Sequence, residues 1–309
     1  MQIPPRGRFL LDKNLLEQNL MKTHEAVSYK LLFMKRILFF MVLLGLWSCN
    51  TLNTEGVLYN GSLGFVEGSP LVNNYGNTVL DRFDSPLGYS RVPVRQNTFA
   101  AYLRTLELMP DGSSAHYYNG KVKPNDNNVY VAVVDLPISP KNLQRSASSV
   151  IRLVSEYLFI NQKFDKIAFH TDNQKISFES FSNGEYSKAE FHKYMDHVME
   201  RSSTPSFCTD MKNEKLENIQ IGDVFVQNNL NGHAVIVVDM AENKNGQKLF
   251  LLAQGFHPAQ EIQIIANPNN KELSPWYELK EGELLTPEWR FMTSDLMRFK
   301  FLDNESRMD

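Results

Sequence analysis

Apolar residues are most densely ordered between Ile221 and Gln260, where the runs VFV, AVIVV and LFLLA are separated by Asn-Gly turn pairs. Short β-branched and aromatic runs punctuated by such turns predict adjacent strands of one sheet. Polar side chains mark the ends of these runs: His233 opens the second, and Gln254 and His257 follow the third. Val129 to Leu136, VYVAVVDL, is a continuous apolar run and predicts a central strand covered on both faces. EIQIIAN, from Glu261 to Asn267, adds a further strand.

Helical periodicity is clearest after Ser139. With Ser139 as N-cap and Pro140 at the first helical position, Leu143, Ala147, Val150, Ile151, Val154 and Leu158 form one apolar stripe. Arg152 and Glu156 then fall on its flank as a surface pair. A second amphipathic helix is predicted over Lys188 to Arg201, with Phe191, Tyr194, Met195 and Val198 inward and His192 and His197 outside that face. Shorter helices are predicted over Thr98 to Met109 and from Thr204-Pro205 through Cys208 toward Lys215. Lys166 to Phe169 and Lys175 to Phe181 predict a hairpin, with His170 solvated beside its turn. The pattern as a whole is α+β: a mainly antiparallel sheet with packed helices.

The N-terminus has a different character. Lys35 and Arg36 precede the 11-residue apolar run Ile37 to Trp47, which has the length of a signal-peptide core and is too short to span a bilayer. It ends in Leu46-Trp47-Ser48-Cys49, which resembles the lipobox of bacterial lipoproteins, with Cys49 as the lipidated residue. The expected organisation is an upstream extension over 1–33, a signal over 34–48, a polar tether over 49–68 and one folded body over 69–309. Localisation at the cell envelope, on a lipid anchor in the membrane, follows as the expectation.

Composition narrows the function. With 42% hydrophobic and 22% charged residues the chain is of ordinary globular type. A net charge of -3 and the absence of a basic run give nucleic acid no electrostatic footprint. The chain has two cysteines, so lipidation of Cys49 would leave Cys208 without an intrachain partner. It reads either as a small buried hydrophobe or as a reactive thiol. No second carboxylate or histidine stands at ligand spacing from Asp239, so no metal and no cofactor is expected.

Nucleophilic catalysis needs a thiol or hydroxyl near an imidazole and a third polar group that fixes the ring. His233 is the candidate base and Gln254 the candidate orienter. Cys208, near the start of a short helix, and Ser146, inside the long helix on its Leu143 to Val150 face, are the candidate nucleophiles. Gly222-Asp223 opening one strand and His233 opening the next, in GHAVIVV, are similar to the NlpC-type branch of the papain-like peptidases. The alternative is structural: glycines shape turns, Asp223 caps one, Asp239 starts another, and His233, Gln254 and Gln260 satisfy backbone groups at strand ends.

A wider resemblance covers about Tyr89 to Phe301. YSRVPVRQNTFAAYLR, NLQRSASSVIRLVSEYL, IGDVFVQ, GHAVIVVDMAE, LLAQGFHPAQ and SPWY are together similar to the bacterial lipoprotein family catalogued as domain of unknown function 4846. Arg104, Gly222, Asp223, His233, Asp239, Gln254 and Gln260 keep that family's pattern. Cysteine often stands at the position of Ser146, and Ser-Tyr-Met at that of Gly255-Phe256-His257. The resemblance implies an envelope lipoprotein. Two functions remain open: a non-catalytic, papain-like module binding a peptidoglycan or glycan fragment, and a hydrolase of peptide or amide bonds. Arg104, Asp223, Asp239, His257 and Gln260 are the accompanying candidate binding residues.

Overall fold

Asp239 lies inside the longest of the described strands, fully enclosed, with arginines from two distant segments on its two carboxylate oxygens. The architecture around it comes from a computed structural model that describes residues 57–58 and 71–302. In chain order the strands are β1 (Val57–Leu58), β2 (Tyr89–Arg91), β3 (Val94–Arg95), β4 (Tyr130–Val133), β5 (Ala168–His170), β6 (Lys175–Ser177) and β7 (Met211–Asn213). There follow β8 (Val224–Val226), β9 (Ala234–Asn243), β10 (Lys248–Gln254), β11 (Gln263–Ile265), β12 (Tyr277–Glu278), β13 (Glu283–Leu285), β14 (Arg290–Met292) and β15 (Leu296–Phe299). The helices are α1 (Val79–Arg82), α2 (Phe99–Arg104), α3 (Ser146–Ile160), α4 (Phe178–Ser182), α5 (Lys188–Arg201) and α6 (Thr204–Cys208).

One antiparallel sheet runs in the order β4-β11-β10-β9-β8-β15-β7, with β2 added to β9 and β12 to β10. The three apolar runs that predict adjacent strands are β8, β9 and β10, and Asn245-Gly246 makes the turn of the β9–β10 hairpin, with Gly246 at φ 76°. Ala234 to Ala241 and Leu249 to Gln254 are all buried, so these strands are covered on both faces. That is why they read as continuous runs rather than alternating ones. Helices α2 and α3 pack on β9. The α+β class with a large antiparallel sheet is therefore observed.

Several local expectations change. The run from Val129 is not central: β4 ends the sheet path. Its two apolar faces have different covers, since Ala132 and Val134 join the main core while Val129, Tyr130 and Val133 close on Ala115 in a satellite cluster. Helix α3 starts at Ser146, not Ser139. The preceding segment is held in a non-helical course by residues 259–260: Asn142 Oδ1 accepts from Ala259 N at 2.8 Å, and Gln144 Nε2 donates to Gln260 O at 3.3 Å. Every residue from Ser146 to Leu158 is buried, so α3 is enclosed all round rather than along a stripe. Arg152 and Glu156 are consequently an interior pair, 2.8 Å apart, and Lys188 adds a second cation to Glu156 at 2.6 Å.

The other helices are shorter than their patterns predict, α2 ending at Arg104 and α6 at Cys208. The expected hairpin forms as β5–β6, but Phe178 already begins α4. His170 is half-buried, with Nδ1 2.6 Å from Asp210, rather than solvated. Helix α5 spans the predicted residues with Phe191, Tyr194, Met195 and Val198 buried. Within the expected tether, Val57–Leu58 pairs with β3. The extension, the signal and Cys49 lie outside the described residues.

Asp239 does not start a turn. Arg91 Nε donates to Oδ2 at 2.5 Å and Arg104 Nε to Oδ1 at 2.7 Å, while Met240 N also donates to Oδ1 at 2.8 Å. Arg91 further donates to Phe83 O, which ties the cluster to the end of α1. The ladder shifts register beside it, Leu251 facing Asp239 but Leu252 facing Val237, which leaves Val238 as a bulge. Removing one member of a buried ionic cluster leaves its partners charged and uncompensated, at a cost of about 3–5 kcal/mol. Asp239→Ala is therefore expected to lower unfolding free energy by about that amount in chemical denaturation, with Arg104→Ala in the same direction.

Candidate functional site

His233 enters β9 from the Asn231-Gly232 turn. A side chain at position 232 would stand 1.9 Å from Gln227 O, so only glycine lets the chain pass there. Gln227 N donates to His233 O at 3.1 Å and holds the entry against the end of β8. Gln254, the last residue of β10, puts Oε1 3.0 Å from His233 Nε2. Its Nε2 donates to the Glu288 carboxylate at 2.6 Å, so the amide oxygen must face the ring. The imidazole then carries its proton on Nε2, and Nδ1 keeps a lone pair with no hydrogen-bond partner among the described residues.

The chain of polar contacts continues behind Gln254. Lys123 Nζ donates to Glu288 Oε2 at 2.8 Å and to Gln263 Oε1 at 3.1 Å. Gln263 Nε2 donates to Gln260 Oε1 at 3.0 Å, and Gln260 Nε2 to Pro258 O at 3.0 Å. Gln260 is thus the buried end of this relay. Phe256, Trp289 and Phe291 surround the His233 ring, with centroids 4.7, 5.2 and 5.9 Å away. Burial lowers the His233 pKa to about 4, with a smaller push from Lys123; the Gln254 contact acts in the opposite sense. At neutral pH the ring is uncharged.

Beside the ring lies a cavity of about 470 Å³. Its walls are the first turn of α3, the Ser202 to Thr204 segment, the turn before His233, and Phe256, His257 and Trp289. Ser146 is the first residue of a 15-residue helix whose N-cap, Arg145, makes no side-chain cap. The structure therefore moves Ser146 from the helix interior to its N-terminus and puts it in the same cavity as His233. Gly255 makes this approach possible, since a side chain there would meet Ser149 Oγ at 1.9 Å. No hydrogen bond joins Ser146 to His233, and Ser146 Oγ has no partner among the described residues.

Cys208 is placed differently. It is the last residue of α6 rather than near its start, is buried in the main core, and does not line the cavity. Burial pushes its thiol up to about 11, so it offers no thiolate at neutral pH. Arg104 and Asp239 are joined to each other, and Asp223 accepts from Arg298 Nε at 2.7 Å and Nη2 at 2.8 Å. These three residues build the interior rather than the cavity wall. His257 lies exposed at the cavity rim. Lys123, Glu288, Trp289, Arg145 and Ser148 escape the sequence reading. Only TPEW, an aromatic beside an acid in a turn-rich tail, offered a signal for two of them.

Fold and cavity together define an α+β protein with an amide-held histidine facing a free helix N-terminus. Residues 79–298 match the family described as domain of unknown function (4846), and the chain belongs to that family. No curated protein and no solved structure matches the chain.

The depressed His233 pKa has a thermodynamic counterpart. Unfolded, the imidazole binds a proton below about pH 6.5; folded, only below about pH 4. Between these values the unfolded state holds more protons, so stability falls as pH drops through that window, by roughly 3 kcal/mol for this residue. Denaturation of the wild type is expected to lose that much more stability than His233→Asn over the same window.

Proposed function

We propose that the chain is a non-catalytic, degenerate papain-like binding module of the bacterial cell envelope, taking a peptidoglycan or glycan fragment in the cavity beside His233. One observation carries the reading: the components of a nucleophilic site share this cavity without the bond that would make them work. A serine needs its base within hydrogen-bond reach. Among the described residues Ser146 donates to nothing, and His233, with its lowered pKa and a neutral amide behind it, is a weak base with no carboxylate on its ring to stabilise an imidazolium. Hydroxyls of Ser146 and Ser148 in a cavity also lined by Phe256 and Trp289 suit a polar ligand with one apolar side. The papain-like likeness rests on three placements: a helix N-terminus, a histidine opening a strand, and an amide at the end of the neighbouring strand.

A second reading is favoured by the position of Ser146 alone. In a hydrolase of peptide or amide bonds, ligand binding would draw Ser146 to Nδ1, Gln254 would orient the ring, and free N–H groups of α3 would receive the developing oxyanion. Soluble glycan and peptide fragments of cell wall distinguish the two. Binding seen by calorimetry without release of product, weakened by His233→Ala, is the expected result; product release abolished by both His233→Ala and Ser146→Ala would establish the hydrolase instead. The envelope location rests on the Cys49 motif. Labelled lipid is expected to be incorporated into the chain in bacteria and absent from Cys49→Ala, and equal labelling of both would overturn the anchor.

A further inference from the structure

The binding reading leaves open which group the cavity recognises, and the inference here rests on that reading. The α3 N-terminus supplies unused donors. Ser149 N is bonded to Arg145 O at 2.8 Å, while the N–H groups of Ser146, Ala147 and Ser148 have no partner among the described residues. Such N–H groups, with the helix dipole behind them, attract anions. Two side chains point to a ligand independently of the helix. Ser146 and Ser148 are only 8% and 7% exposed, and neither hydroxyl has a protein partner among the described residues. Neither oxygen is among the fully enclosed unsatisfied atoms, so each keeps accessible surface, and both residues line the cavity. A buried hydroxyl without a partner is rare unless something else satisfies it.

Charge agrees with this chemistry. Arg145 lines the cavity, is exposed, and has no ion-pair partner among the described residues. No aspartate or glutamate lines it. The nearby carboxylates are engaged: Asp172 accepts from Ser203, and Glu288 is bound by Lys123 at 2.8 Å. One guanidinium, a helix N-terminus and an uncharged imidazole balance a single negative charge.

We infer that the cavity binds a carboxylate, seated on the N–H groups and hydroxyls of Ser146 and Ser148 with Arg145 as counter-ion, its attached body lying against Phe256 and Trp289. The carboxylate could belong to a peptide end or to an acidic sugar, and both present the same planar, singly charged acceptor.

Amide chemical shifts of Ser146 to Ser148 in the full chain test this directly. The probes are N-acetylalanine and glucuronate as acids, N-acetylalaninamide and glucose as their neutral counterparts, and inorganic phosphate. At least one acid is expected to shift these amides and to bind about tenfold or more tighter than its neutral counterpart, with Arg145→Ala removing most of that difference. Which acid responds distinguishes a peptide end from a sugar. Equal binding of acid and neutral partner, tighter binding of phosphate than of either acid, or an acid preference unchanged in Arg145→Ala would overturn the carboxylate while leaving the binding module intact. Silence of all five small probes up to tens of millimolar would also overturn it; binding of cell-wall fragments in the same protein would then keep the module, and its absence would end both.

Discussion

Burial of β9 and β10 on both faces obliges every polar group they carry to find its match inside the protein. Unmatched charges and amides in such a setting cost several kcal/mol each. Asp239 meets this demand with two arginines and a backbone N–H. Gln254 meets it with a histidine on one side and a carboxylate on the other. Asp223, just before β8, meets it with the fork of Arg298. Three polar residues at the sheet centre thereby reach into β2, α2, β15 and the turn before β14, and the sheet is bound to its surroundings through them.

The same demand separates structure from site. Where the carboxylate oxygens are all matched, at Asp239 and Asp223, the residues are interior fastenings. At His233 Nδ1, at the hydroxyls of Ser146 and Ser148 and at the first N–H groups of α3, unfilled capacity gathers at one cavity. The difference lies in stoichiometry rather than residue type, since both groups are polar and buried.

Much of the sheet was legible because its runs are apolar throughout and its turns carry Asn-Gly; β8, β9, β10 and α5 stand where their patterns put them. The start of α3 was not legible. Ser139-Pro140 is a good local signal, yet Asn142 and Gln144 are engaged by residues more than a hundred positions later, and periodicity reports nothing about such partners. For the same reason Ser146 looked like an interior helical residue and Arg152–Glu156 like a surface pair. His233 and Gln254 were legible as an adjacent pair because they end neighbouring strands. Lys123 and Glu288 were not, since each is a lone charge in a loop, and only the folded chain brings them to Gln254.

The arginines that hold Asp239 precede it by 148 and 135 positions. As the chain emerges from the ribosome, α2 and β2 carry cations whose anion, Asp239, has not yet been made, and β2 lacks its sheet partner until β9 appears. The first third of the body therefore cannot settle alone; it waits for the last. Contacts this distant in sequence slow folding and prolong exposure of apolar surface. The order of synthesis thus leaves α2 and β2 without their sheet partner until β9 has been made.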